Sequence, residues 1–162
     1  MAPQAHSLDI TSLNGEKTPA WFNYLKEYDG TREELICTQS LRRSRVNIIH
    51  NIIYKEAQKF GDRIILCGTS QGACFALDIA TYIPLTAVIS IVGLQTYVTR
   101  MRPLKCPWFA LNANNDSVFA WANNPSEGAT EEHRIDGDHW VCDNQVIDFV
   151  QHCLDKIIDS SK

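Results

Sequence analysis

What this 162-residue chain lacks narrows its class first. No apolar run approaches about 18 residues, so a membrane-spanning helix is not expected. No charged-then-apolar leader opens the sequence, and a cytoplasmic setting is the expectation. There is no basic tract, and the formal net charge is −4, which argues against a nucleic-acid partner. The densest basic cluster, Arg42-Arg43-Ser44-Arg45, reads as the solvated start of a helix. The six cysteines (Cys37, Cys67, Cys74, Cys106, Cys142 and Cys153) include no C-x-x-C pair, so zinc is not expected. They read as free thiols, with Cys67 and Cys74 as small buried hydrophobes. His6, His50, His133 and His152 show no metal-ligand spacing, so each reads as a surface or satisfied side chain and no metal site is expected. Repeats and low-complexity segments are missing too, and the length suits one domain, 1–162.

What is present centres on Gly68-Thr69-Ser70-Gln71-Gly72, a G-x-S-x-G sequence. The apolar run 64–67 precedes it and a helical run, 73–83, follows. That is the context of a nucleophile elbow, a sharp strand-to-helix turn that projects a serine hydroxyl above a sheet. The crowded backbone there demands glycines two residues before and after. The competing reading is a glycine-rich turn whose serine only caps the helix. An elbow serine needs a base and an acid in the order Ser, Asp, His. Residues 108–112 (WFALN) read as a buried strand with Asp116 just beyond it, and 131–135 as a last strand followed by Asp136-Gly137-Asp138-His139. Polar groups at successive strand ends fall on one edge of a parallel sheet, where sites form in open α/β folds. Ser70 is then the candidate nucleophile, His139 the base and Asp116 the orienting acid. Asp138 and Asp143 compete with Asp116 but stand too near His139 in sequence for the usual geometry.

These residues carry a resemblance. Arg63-Ile64-Ile65-Leu66-Cys67-Gly68-Thr69-Ser70-Gln71-Gly72-Ala73 resembles the R-I-x-L-x-G-F-S-Q-G-A pattern of the phospholipase/carboxylesterase family of α/β-hydrolases, which includes acyl-protein thioesterases. Asn112 to Phe119 resembles its H-G-x-x-D-x-x-V acid segment without the histidine and glycine, and Gly137-Asp138-His139 resembles its G-x-H segment. Pro3-Gln4-Ala5 and Pro19-Ala20-Trp21-Phe22-Asn23 are similar to the family's P-x-A-P and x-A-W-F-D. The resemblance implies a reduced α/β-hydrolase fold: a mostly parallel sheet of about four strands with flanking helices, without the family's N-terminal strands. It also implies an acyl-binding role for the stretch holding Trp21, Phe22 and Tyr24, which otherwise read as hydrophobic cover. No H-G-x-G-D, the family's source of one oxyanion N–H, occurs in the chain. That leaves the Gln71 backbone N–H as the expected donor and points to weak activity.

The remaining organisation is simple. Residues 1–37 have weak periodicity, with turns at Asn14-Gly15 and Asp29-Gly30. Thr38 or Ser40 can cap a helix running to about Phe60, with Val46, Ile49, Ile53, Ala57 and Phe60 on its apolar face. Residues 86–92 read as a strand covered on both faces, 94–105 as a connector with a short helix, 117–122 as a short helix, and 141–158 as a closing amphipathic helix. Two functions of different class follow. One is a serine hydrolase of esters or thioesters, small or protein-borne, needing no cofactor. The other is a non-catalytic binding protein on the same scaffold. With the family's preceding strand absent, the elbow strand would lie at a sheet edge, an exposed liability that a homodimer would cover.

Overall fold

The computed structural model describes residues 1–26, 35–61, 63–119 and 126–160. The Asp29-Gly30 turn and the later part of the 117–122 helix lie outside them; residues 117–119 are a bend. An N-terminal hairpin pairs β1 (Ser7–Ile10) antiparallel with β2 (Glu16–Pro19). Asn14 (φ 55°) and Gly15 (φ 83°) make its turn in the left-handed region that these residue types tolerate. A long helix follows as α1 (Thr38–Ile48), a π stretch (Ile49–Ile53) and α2 (Tyr54–Phe60). Then β3 (Ile65–Thr69), α3 (Gln71–Ala80), β4 (Ala87–Ile91), the short α4 (Tyr97–Arg100), β5 (Trp108–Ala113), β6 (Glu131–Ile135) and α5 (Asp143–Asp159) complete the order.

β3, β4, β5 and β6 form one parallel sheet in that order, so each strand returns through a crossover to lie beside its predecessor. Parallel strands need such crossovers, and covering both faces makes the central strands continuously apolar. Every residue of β4 and β5 is buried. Their side chains alternate between two cores. Val88 and Ala110 face Leu41, Ile49, Phe75 and Leu77 from α1, the π stretch and α3. Ile89, Phe109 and Leu111 face Phe149, Cys153 and Ile157 on α5. The apolar side expected for the closing helix is the one that packs, and truncating Phe149 to alanine would cost about 3–5 kcal/mol. The expected fold class, a four-stranded parallel sheet with helices on both faces, is the one observed.

Several local expectations need correction. The buried positions of the long helix are Leu41, Arg45, Ile48, Ile49 and Ile53, while Val46 and Phe60 are exposed. Val46 lies in α1, whose inward side is set by Leu41, Arg45 and Ile48. Beyond it the wider π turn Ile49–Ile53 rotates the phase, and Phe60 falls outside. Neither Thr38 nor Ser40 caps α1. Cys37 stands at the N-cap without a side-chain bond. The Ser40 hydroxyl donates to Cys37 O (2.8 Å) and accepts from the Asn23 N–H (2.9 Å). Arg45 is not solvated either: it pairs with Asp78 on α3 at 2.6 Å and lies 3.6 Å over the Tyr82 ring. Removing one partner of a buried pair costs about 3–5 kcal/mol, because the other charge is left stranded. Cys67 is exposed although Cys74 is buried, and none of the six cysteines forms a disulfide. The reason for the first is its place on β3, the outer strand of the sheet among the described residues.

Candidate active site

Ser70 sits between the last residue of β3 and the first of α3, with φ 53° and ψ −123°. A non-glycine residue held there stores strain of order 1–3 kcal/mol. The surrounding bonds maintain it: the Ser70 N–H donates to Ile91 O (2.9 Å), and Ser70 O accepts from the N–H groups of Ala73 and Cys74 (3.0 and 3.1 Å). Its side chain does not cap α3. Of the two elbow glycines only Gly68 is demanded by crowding: a Cβ there would lie 2.4 Å from Gly72 O, whereas one on Gly72 would meet only the Trp21 indole at 3.4 Å. A third glycine, Gly93, is also required, since its Cβ would lie 2.3 Å from the Ala73 Cβ.

Asp116 and His139 are carried by the loops leaving β5 and β6, and they meet Ser70 at the same edge of the sheet. His139 Nε2 lies 2.8 Å from Ser70 Oγ, and Nδ1 lies 2.9 Å from Asp116 Oδ2. A carboxylate only accepts, so the proton belongs on Nδ1 and Nε2 is left to accept from the serine hydroxyl. Both residues are nearly inaccessible, His139 at 5% and Asp116 at 2% exposure. The other oxygen of Asp116, Oδ1, accepts the N–H groups of Val118 (2.9 Å) and Phe119 (2.6 Å). Phe119 then stands edge-on to the His139 ring at 5.2 Å. Asp138 is engaged elsewhere. It accepts from the Ser117 hydroxyl and N–H and from the His139 N–H, which hold its carboxyl down at about 2. Asp143 begins α5.

A cavity of about 590 Å³ opens beside Ser70, bounded by β3, α3 and the N-terminal segment. Trp21 lines it with Leu66, Phe75 and Ile79, and the indole stacks on Phe75 at 4.7 Å. Phe22 does not line it: its side chain is wholly buried in the core, so the role implied for it by resemblance gives way to packing. Gln71 clamps this wall. Its Oε1 accepts the Trp21 N–H (2.7 Å) and its Nε2 donates to Phe22 O (3.0 Å). The main-chain N–H of Gln71 opens α3 beside Ser70, where a helix leaves its first N–H groups without helical partners.

One cluster escaped the sequence reading. His133 on β6 and His152 on α5, 19 residues apart, both place Nε2 on Glu131 Oε1, at 2.7 and 2.8 Å. Lys156 holds Glu131 Oε2. The hydrogen bonds from Lys156, His133 and His152 lower the Glu131 carboxyl to about 2. Spacing along the chain gave no hint, because a strand and a helix supply the histidines.

No protein-family model matches the chain, and no curated protein matches it in sequence. Solved structures do. The chain is similar to the crystal structure of SOBER1 from Arabidopsis thaliana (19% identity, 98% of this chain and 83% of that one, TM-score 0.79). It is also similar to acyl-protein thioesterase 2 from Zea mays (14% identity, 96% and 80%, TM-score 0.67). A carboxylesterase from Bacillus cereus matches as well (16% identity, 86% and 69%, TM-score 0.62). At these identities the likeness establishes a shared α/β-hydrolase fold, and the structural resemblance is to the thioesterase and carboxylesterase group.

Proposed function

We propose that the chain is a serine hydrolase of carboxylic esters or thioesters. The observation that carries this reading is the continuous relay from Asp116 through His139 to Ser70, with contacts of 2.9 and 2.8 Å in a buried setting. Ser70 Oγ attacks the acyl carbon as His139 Nε2 takes its proton, and His139 returns that proton to the leaving group. Asp116 fixes the imidazole tautomer and stabilises its cation. The Gln71 N–H faces the developing oxyanion. Water then repeats the sequence on the acyl-enzyme. No step calls on a metal or cofactor. The cavity with Trp21 in its wall receives the acyl group. Neighbours named as a thioesterase and a carboxylesterase support small esters and acylated proteins as the substrate classes. With no H-G-x-G-D in the sequence, turnover is modest, since losing one oxyanion donor costs about 100- to 1,000-fold.

In this reading residues 1–162 act as one domain. Free thiols suit a cytoplasmic setting. No helix among the described residues is long and apolar enough to cross a membrane. The outer position of β3 supports a homodimer that covers that edge. Sedimentation at micromolar concentration measures it, and a fully active monomer would remove that part of the proposal. The decisive experiment on the chemistry is labelling with a fluorophosphonate probe, followed by turnover of p-nitrophenyl acetate. Ser70 is expected to carry the label, and Ser70→Ala to reduce turnover to background with the fold intact. An unlabelled Ser70 would favour the non-catalytic binding protein, and an Ala variant as active as the original would overturn the elbow reading.

A further inference from the structure

Glu131, His133 and His152 form a second cluster whose chemistry the proposed hydrolysis does not use. It lies at the start of β6 and along α5, whereas Ser70 and His139 occupy the opposite, C-terminal ends of the strands. The three potential donor atoms, one carboxylate oxygen and two imidazole nitrogens, all lie within 4.8 Å of one another. Both Nε2 atoms point at the same oxygen, 2.7 and 2.8 Å away. Two nitrogens and an oxygen converging on one point are the donor set that Zn²⁺ and similar borderline ions favour, at about 2.0–2.2 Å per bond. An ion bonded to all three needs the two nitrogens to draw back from Oε1, and the partly exposed imidazoles have room to do so.

The surroundings suit ligation as well. Phe149 packs on the His133 ring at 5.2 Å, and the two imidazoles lie 4.9 Å apart, so neither swings freely. Lys156 engages Glu131 Oε2 and thereby turns Oε1 towards both histidines, as an outer-shell partner does for a ligating carboxylate. The histidine side chains are 43% and 38% exposed, which gives an ion a path in. Glu131 and Lys156 also border a separate cavity of about 590 Å³ at the N-terminal ends of β4 to β6 and the end of α5.

We propose that Glu131 Oε1, His133 Nε2 and His152 Nε2 bind one divalent transition-metal ion of the Zn²⁺ type, pinning α5 to β6. The ion takes the place of the two hydrogen bonds to Oε1. Each neutral imidazole keeps its single proton, now on Nδ1, and water fills the remaining coordination position. The bound ion is structural, since it is held far from Ser70.

The test uses the whole chain, stripped of metal with a chelator and titrated with Zn²⁺ alone in a calorimeter, and with Co²⁺ alone in a spectrometer. Exposed Cys67 and Cys142 offer competing thiolates. The Co²⁺ spectrum separates the two cases, because thiolate ligation adds a strong near-ultraviolet charge-transfer band that nitrogen and oxygen donors lack. One equivalent should bind without that band. At a hundredfold excess over the dissociation constant, Tm should rise by about 5–10 °C. His152→Gln changes a side chain on the partly exposed side of α5 and should abolish that equivalent and the rise in Tm while the circular dichroism stays unchanged. His133→Gln should do the same. Failure of wild type to bind one equivalent at stoichiometric excess, a thiolate band, or binding that survives both substitutions would each overturn the proposal.

Discussion

Asp116 and Glu131 are both carboxylates that hold imidazoles, and their surroundings differ at almost every point. Asp116 is buried, and its two oxygens are divided: one is fixed by the N–H groups of Val118 and Phe119, the other faces His139. Glu131 is partly exposed, with two imidazoles on one oxygen and the flexible Lys156 chain on the other. Backbone donors hold a carboxylate in one orientation; a lysine tip does so loosely. The first arrangement aims a single imidazole at a single hydroxyl. The second brings two imidazole nitrogens to one oxygen. The same kinds of side chain therefore fix one imidazole in one region and gather two in the other, and burial with main-chain anchoring makes the difference.

The largest expected effect tests the first half of that contrast. Asp116→Asn should lower kcat for p-nitrophenyl acetate by about 10⁴-fold, because the amide stabilises the wrong imidazole tautomer. Asp138→Asn, which loosens the Ser117 turn, should reduce it far less; the opposite ranking would move the orienting role to Asp138. A smaller effect follows from proton transfer. Since His139, the proposed base, must accept a proton, kcat/KM should fall as the solution is made more acid. A flat profile would break the assignment of a histidine base. The smallest effect belongs to Glu131. Its folded carboxyl is lowered from 4.5 to about 2, so its contribution to stability is complete above the unfolded value and disappears as pH falls towards the folded one. Glu131→Gln should remove that acid-side loss between about pH 4.5 and 2 in urea titrations. The size should stay below about 1 kcal/mol, as for exposed pairs.

Much of the site was legible because its parts are local. A strand, Gly68-Thr69-Ser70-Gln71-Gly72 and a helix lie consecutively, and Asp116 and His139 each follow a strand that announces itself by an apolar run or a turn. What the sequence concealed depends on neighbours far along the chain. The hairpin has little apolar alternation, and only Ile10 of its strand residues is buried. The long helix reads correctly in extent, yet its π stretch shifts the buried face, and Arg45 reads as solvated because Asp78 is remote in sequence. Cys67 follows apolar residues on an outer strand, where exposure is set by which strand lies alongside. His133 and His152 meet only because α5 packs its Phe149 face on the sheet beside β6.

Gln71 divides between two tasks in a way that bears on how substitutions at this position are interpreted. Its amide group ties down the main chain of Trp21 and Phe22, and with it one wall of the cavity. Its own N–H belongs to the peptide backbone and is the proposed partner of the oxyanion. Every replacement except proline keeps that N–H and discards or alters the tie. A survey of substitutions at this position would therefore record the looseness of the wall and remain blind to the hydrogen bond, although a single residue supplies both.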